Sequence, residues 1–479
     1  MPNTTHVVVS FLLTYKPVFS MVDLGKSEVL SPSPHHADNQ DPGHLAPPAA
    51  RACHRGQNRN CKQIGAELDL QGVATQSIAS APCRQGDLEM ACEKRFQTEI
   101  VTTPEAFLAL KEDWNGLLRQ TAWHPLFLTW EWQHTWWQAR GGELFIVLVR
   151  EAGALVAILP FLIVRKFSID LLRFIGTLDS DYLDFIVKCG YEEPVVDFFL
   201  NDFLNDHPRI GMAELECINE RSSTVSYLMA GLPSARFDVS IEEKACTYIE
   251  VPASWDAYLA RLSPKMRYYI RRKERKLHSD FKTTIAVVRD VGELDVRMGD
   301  FFTQHQQRWN RVGRPGAFFS DSFHRFHKII SRTLFELGIL NLYYVELDDK
   351  PVGSYYMFRY DGVLHFYLSG FDPVYERYSL GVVLLAQTVK DAIDDGLNEV
   401  DLMREPYGYK LKWAPRKRLN RTFTLIRKKG PARGCFVLQR TTERIARGLK
   451  RLLPPRARFA IRRAMPKRIV SSLDRFFRE

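Results

Sequence analysis

No stretch of this 479-residue chain is long enough and apolar enough to cross a membrane as a helix. The longest apolar run, residues 154–164, reaches about half the required length and contains Pro160. The start, MPNTTHVVVSFLLTY, has no basic leader ahead of its apolar patch, so no secretory signal is expected. The eight cysteines are scattered without a Cys-x-x-Cys pair. Cys53 and Cys61 lack partners at zinc spacing. This usage fits reduced thiols in the cytoplasm and excludes a disulfide scaffold. There is no Walker loop, Rossmann fingerprint or Ser-His-Asp signature, and no metal set is expected.

What is present divides the chain. Residues 1–95 include SPSPHHADNQDPGHLAPPAA, rich in Pro, His and Asp with little to bury, and read as a disordered extension. Met90 stands just before the folded pattern, which leaves residues 1–89 open to being a mis-assigned start. Residues 96–245 begin with a helical pattern on Phe107, Leu110 and Trp114, followed by a Trp-rich helix over 129–139 whose aromatics either pack as core or line a pocket. Strands are expected at 144–150, 155–163, 171–176 and 182–187, then a helix at 193–204 and a strand at 213–218. Residues 235–253 are expected to cross between halves.

The same order of elements returns in residues 246–426. Three runs near 340–347, 354–360 and 363–369 read as antiparallel strands, with breaks at 348–353 and at the hairpin signal Asp361-Gly362. Val382, Leu385, Ala386 and Val389 continue as a helix that Gly396 ends, and a strand follows near 399–403. The spacing predicts α+β tandem halves, each a mixed, mostly antiparallel sheet flanked by helices. The strand-to-helix turn of the later half, GFDPVYERYSLGVV, holds Ser379 as a cap, Gly381 for close approach and the charge of Arg377. A helix start presents unpaired N–H groups and suits a phosphate. In the earlier half the matching turn, KCGYEEPVV, carries Glu192 and Glu193, which repel an anion. That half is expected not to bind one.

Three stretches, PLFLTWEWQHTWW (125–137), SGFDPVYERYSLG (369–381) and DLMREPYGYKLKW (401–413), resemble the GNAT superfamily of N-acetyltransferases. Within it they resemble the CelD-like acetyltransferases associated with polysaccharide synthesis, relatives of the Fem-type aminoacyltransferases. The resemblance covers about residues 98–426. In the last motif Asp401, Arg404, Tyr409, Lys410, Lys412 and Trp413 match the family pattern, while Glu405 replaces its Gly and Tyr407 its Glu. The resemblance implies acetyl-CoA or another acyl-CoA as co-substrate and a sugar or amine acceptor in envelope or exopolysaccharide synthesis, in the cytoplasm or peripheral to the inner membrane. Transfer of an aminoacyl group from tRNA, or a non-catalytic role beside a polysaccharide synthase, are the alternatives.

On this reading Arg377, Tyr378, Ser379, Gly381 and Val382 hold the cofactor. Asp401 is a candidate base, followed by Glu405, and Tyr367 or Tyr409 a candidate proton donor to the leaving thiolate. His365 shares a strand face with Tyr367. Arg404 and Lys410, cations beside aromatics, suit contacts to an anionic or sugar acceptor, as does His365. Each has a plain structural alternative: strand tyrosines pack, and Asp401 can cap a turn or pair with Arg404. The segment SPKMRYYIRRKERKL (263–277) reads as a basic helix, capped by Ser263, that either grips phosphates or is simply solvated. FFTQHQQRWNR (301–311) reads as a further helix. The tail, residues 427–479, has seventeen Lys/Arg and three acidic residues against a chain net charge of +10. Its apolar stripe fits an anionic membrane surface, RNA, or a solvated tail.

Overall fold

The computed structural model describes residues 95–166, 169–232, 235–314, 316–404, 408–434 and 436–437. The expectations for residues 1–94, for the loop 405–407 and for most of the basic tail lie outside the described residues.

Alternating apolar positions give thirteen strands among the described residues: β1 (Gln97–Val101), β2 (Glu143–Glu151), β3 (Ala154–Lys166), β4 (Ile169–Phe174), β5 (Ile186–Val187), β6 (Ile210–Asn219), β7 (Phe237–Glu250), β8 (Thr283–Val287), β9 (Leu340–Leu347), β10 (Lys350–Tyr360), β11 (Val363–Phe371), β12 (Glu399–Arg404) and β13 (Arg416–Arg427). They form one sheet in the order β1-β2-β3-β4-β6-β13-β7-β12-β11-β10-β9-β8, with β5 on β3. Neighbours are antiparallel except β4–β6 and β11–β12, which are parallel. The fold is α+β, a mixed and mostly antiparallel sheet flanked by helices.

The chain repeats itself: strand, helices, three strands, helix, strand, helix, strand. In the first half α1 (Trp130–Arg140) and α2 (Glu192–Phe198) are the helices of interest. The second half has α3 (Pro264–Asp280), α4 (Val291–Arg311), α5 (Asp321–Glu336), α6 (Leu380–Asp394) and α7 (Gly408–Trp413). Ser263 caps α3 by accepting from the Met266 amide, with Pro264 in the first turn. The hairpins turn as their residues dictate. Asp361 and Gly362 both take positive φ, the geometry that matches strand twist. The β9–β10 turn is only Asp348-Asp349, also at positive φ, so β10 starts earlier than the Pro351 break implied.

The last strand of each half is exchanged. β7 pairs with β12 of the second half, β13 pairs with β6 of the first, and β7 and β13 pair with each other over twelve residues. The segment expected to cross between halves is therefore a central strand, and the expected boundary at 245/246 falls inside it. Exchange covers two sheet edges that would otherwise present unpaired backbone groups. The expected strand 182–187 is only Ile186–Val187. The residues before it form a loop rich in buried polar groups, among them Asp179, Ser180 and Asp184. That loop reaches the second half.

Two apolar clusters sandwich the second-half sheet. α6 and α3 cover one face, with Leu384, Val389 and Ile270 fully buried. α4 and α5 cover the other, joined there by Trp132 of α1. The Trp132 ring meets Phe127 at 4.9 Å and Phe326 at 5.0 Å, and its Nε1–H donates to Ser180 Oγ at 2.9 Å. The Trp-rich helix is core that binds the halves together.

Candidate active site

β11 and β12 pair only through Val363–His365 and Glu399–Asp401. Beyond that point β11 runs on to Phe371 bonded to β10 alone. β12 bulges, with Met403 at φ 63° and a shift in its register against β7 after Asp401. The two strands thus split. The split opens at His365 and Asp401 and widens toward the turn that leads into α6. Six residues of strand separate His365 from that turn, about 20 Å at strand rise.

The turn itself is a 3-10 segment, Pro373–Tyr378, ending at Ser379 in the left-handed region. Ser379 does not cap α6 with its side chain, as expected from sequence; its Oγ lies 3.1 Å from the Tyr269 hydroxyl of α3. The Val382 amide turns back to the Ser379 carbonyl at 2.8 Å, which commits that donor. By position, Leu380 and Gly381 are left to present the helix-start amides. Gly381 is there for packing: a Cβ would stand 3.2 Å from the Phe371 ring and the Tyr355 hydroxyl, and Tyr355 donates to the Gly381 carbonyl at 2.6 Å. Arg377 is exposed, and its guanidinium lies against Tyr378, donating to that hydroxyl at 2.9 Å. Tyr378 is buried and donates to Asp280.

The basic helix α3 runs beside this turn. Lys273, buried, donates to the Arg377 carbonyl at 2.7 Å, and Lys276 lies over the Tyr378 ring. Burial, with Arg272 and Lys276 nearby, lowers the Lys273 pKa. Arg271, Arg272 and Arg275 are exposed on the same helix. The turn therefore sits in a field of cations that favours an anionic ligand. At the matching place in the first half, Glu192 accepts from the Gly190 amide at 2.8 Å, so a carboxylate occupies that position.

At the closed end of the split stands Asp401, fully buried. Its Oδ2 accepts from Tyr182 at 2.6 Å and pairs with Arg418 Nη2 at 2.7 Å and His365 Nδ1 at 3.3 Å. Its Oδ1 accepts from the Met403 amide at 2.8 Å. Burial alone would push this carboxyl up, but the Arg418 charge and the His365 contact outweigh it and hold it well below the usual range. Asp401 is thus a fixed anion rather than a proton acceptor. His365 Nε2 makes no hydrogen bond within the described residues. In the neutral ring a carboxylate at Nδ1 favours the tautomer that leaves Nε2 as an acceptor.

Three other expected site residues are engaged elsewhere. The Tyr367 hydroxyl donates to the Asp179 carbonyl at 2.7 Å and touches His327, so it serves the contact between halves. Arg404 is ion-paired with Asp181 and its Nη1 reaches Cys217 Sγ. Lys410, buried, donates to the Arg404 carbonyl at 2.7 Å. Both cations therefore already have partners within the protein. Tyr409 on α7 differs: its hydroxyl is buried and has no hydrogen-bond partner among the described residues. Burial raises its pKa, and the nearby Arg308 pulls the other way. Arg308 of α4 donates to Ser369 Oγ at 3.0 Å and lies over the Phe371 ring at 5.5 Å, without a carboxylate partner among the described residues.

Sequence reasoning missed Tyr182, Arg418 and Arg308. Tyr182 and Arg418 come from exchanged or docking segments, so nothing local in the sequence marks them. Arg308 lies one helical step from His305, a residue type more easily noticed. Among the described residues no group of three or more His, Cys, Asp and Glu could hold a metal ion.

No curated protein matches the chain. Among solved structures it is similar to FemX, at 11% identity and a TM-score of 0.48, over 68% of this chain and 96% of that one. It is similar to L-PGS from Bacillus licheniformis, at 10% identity and TM-score 0.39, over 67% and 96%. It is also similar to a tandem GNAT protein from the clavulanic acid biosynthesis pathway, at 9% identity and TM-score 0.37, over 68% and 98%. Residues 264–411, from the basic helix through the split strands to Tyr409, match the family model described as an acetyltransferase (GNAT) domain.

Proposed function

We propose that this chain is an acyl-CoA-dependent acyltransferase, with acetyl the simplest acyl group, acting on an amine or hydroxyl of a sugar or amine acceptor. The observation that carries this reading is the split between β11 and β12, with a cationic turn at its open end and the His365–Asp401 pair at its closed end. The residues present fit an acyl-CoA: Arg377 and the start of α6 would meet its phosphates, and the unpartnered Tyr409 hydroxyl beside Arg308 would face its polar arm. When bound, that molecule supplies an activated acyl group on sulfur.

The chain's own groups then have distinct tasks. His365 Nε2 takes the proton from the attacking amine or hydroxyl, while Asp401 holds the ring and stabilises the imidazolium. The edge that β11 leaves unpaired in the split offers backbone donors to the developing oxyanion. As the new bond to the acyl carbon forms and the carbon–sulfur bond breaks, Tyr409 gives its proton to the departing sulfur. Position matters as much as chemistry: two reactants held at one point gain several kcal/mol, on the order of 7–11 in well-aligned systems. On the strength of the resemblance in residues 369–381 and 401–413, we place the acceptor in envelope or exopolysaccharide synthesis.

Release of free thiol from acetyl-CoA, followed against a panel of amino sugars and amines, tests the reading. Acceptor-dependent thiol release is expected, and its absence with every acceptor and acyl chain tried would overturn it.

A further inference from the structure

A cavity of about 350 Å³ lies at the amino-terminal ends of β11 and β12, where the two halves meet. His365 and Asp401 form its inner wall, so it joins the split at its closed end. Its volume is at the small end of ligand pockets, enough for a compact polar molecule and too small for a nucleotide carrier.

Two polar atoms in its lining are buried without a partner among the described residues. Arg418 Nη1 is one; the side chain is only 5% exposed, and its other groups bond Glu399, Asp401 and Tyr182. His124 Nδ1 is the other. Its Nε2 faces Asp361 at 3.4 Å; in the neutral ring this makes Nε2 the donor and Nδ1 an acceptor. A buried donor left unmade costs about 1–3 kcal/mol, so each is a place where a ligand is expected to bond. One orphan donor and one orphan acceptor among the residues of one lining match hydroxyl groups, which do both.

Charge narrows the class. The lining carries Glu250, Asp361, Glu399 and Asp401 against Arg221 and Arg418. Arg221 and Arg418 both already pair with Glu399. Arg416 adds a cation to Glu250 only from the solvent side. A carboxylate or phosphate entering here would meet a net excess of like charge. An ammonium group would not, and Trp123 and Tyr360 add aromatic rings to the lining that suit a cation or a sugar ring, while Tyr182 and Tyr248 already lie against Arg418 and Arg221.

We infer that this cavity is the acceptor subsite and that its ligand is a neutral or cationic amino sugar whose amine faces His365 Nε2. Of the anionic or sugar acceptor expected from sequence beside Arg404 and Lys410, this places the sugar at the cavity instead. The assignment of the cavity to the acceptor rests on the acyltransferase reading; its preference for a polyhydroxylated amine does not.

The test is a ligand-observed NMR titration of the full chain with three probes: glucosamine, glucuronate and cyclohexylamine. Glucosamine is expected to saturate, with the other two at least about ten-fold weaker. His124→Ala, at the rim, is expected to weaken glucosamine roughly three- to ten-fold through one lost hydrogen bond. Trp123→Ala is a second variant, which removes a lining ring but no hydrogen bond of the buried network, and it too is expected to weaken glucosamine. Glucuronate binding as tightly as glucosamine, no saturation by glucosamine, or equal affinity in both variants would overturn the inference. Protection by acetyl-CoA against thermal unfolding is measured in parallel. If acetyl-CoA protects and glucosamine does not bind, the subsite falls while the transferase reading stands. If glucosamine binds and acetyl-CoA does not protect, the cavity's preference is supported and the transferase reading falls.

Discussion

The Tyr182 hydroxyl donates to Asp401 Oδ2 at 2.6 Å, joining two residues 219 positions apart in the chain. The first half, whose own helix start is blocked by a glutamate, thus supplies a group to the site of the second. Arg418, on the exchanged strand β13, touches both residues. Tyr182→Phe removes a buried hydrogen bond to a charged group, and a loss of about 1.5–3 kcal/mol in unfolding free energy is expected from denaturant titration. Turnover is expected to fall as well, because Asp401 loses one of the contacts that fix its orientation toward His365.

His365→Gln keeps the size and polarity of the side chain and removes the proton acceptor. General-base catalysis contributes about 10²- to 10⁴-fold, so kcat is expected to drop by that range. Acetyl-CoA affinity, read by calorimetry, is expected to stay within about two-fold, since the turn lies some 20 Å away along β11. A large loss of donor binding with kcat preserved would place His365 in a different role.

Tyr409→Phe separates chemistry from stability. The hydroxyl it removes is buried and unpartnered, so its loss is expected to leave stability unchanged or raise it by up to about 1 kcal/mol. The same change is expected to lower kcat while KM for the acceptor holds, the pattern of a group acting in the transition state. Thermal melts and steady-state kinetics on one preparation give both readouts.

Asp184 makes stability depend on pH. Burial raises its pKa to about 7, opposed by bonds to Ser222, the Phe185 amide and Thr224. The folded state therefore holds a proton that the unfolded state has already released above about pH 4. This group's contribution is full below that pH and is lost as pH rises toward 7, a change of a few kcal/mol. Asp184→Asn cannot ionise. Its stability relative to wild type is expected to improve between about pH 4 and about pH 7 and to level off above that in urea unfolding series, and a constant difference across that range would refute the assignment.

The repeat, the hairpin at Asp361-Gly362, the helix after Ser379 and the basic helix were legible because each rests on local pattern. Ser379 misled because a serine before an apolar run reads as a cap, whereas here Tyr269 from another helix engages its hydroxyl. For Arg404 and Lys410 the sequence showed cations near aromatics but not their partners, Asp181 and a backbone carbonyl. The exchange of β7 and β13 was invisible, since strand partners two hundred residues apart leave no trace in periodicity. Tyr182 and Arg418 were hidden for the same reason.

Thermal unfolding with and without acetyl-CoA, on wild type and Arg377→Glu, tests the placement of the donor most directly. Arg377 is exposed and its replacement leaves the core intact. At a hundred-fold excess over its dissociation constant, acetyl-CoA is expected to stabilise wild type by about 2.7 kcal/mol. In Arg377→Glu that protection is expected to vanish at the same concentration. Equal protection of both proteins, or none of wild type at saturating ligand, would contradict the account.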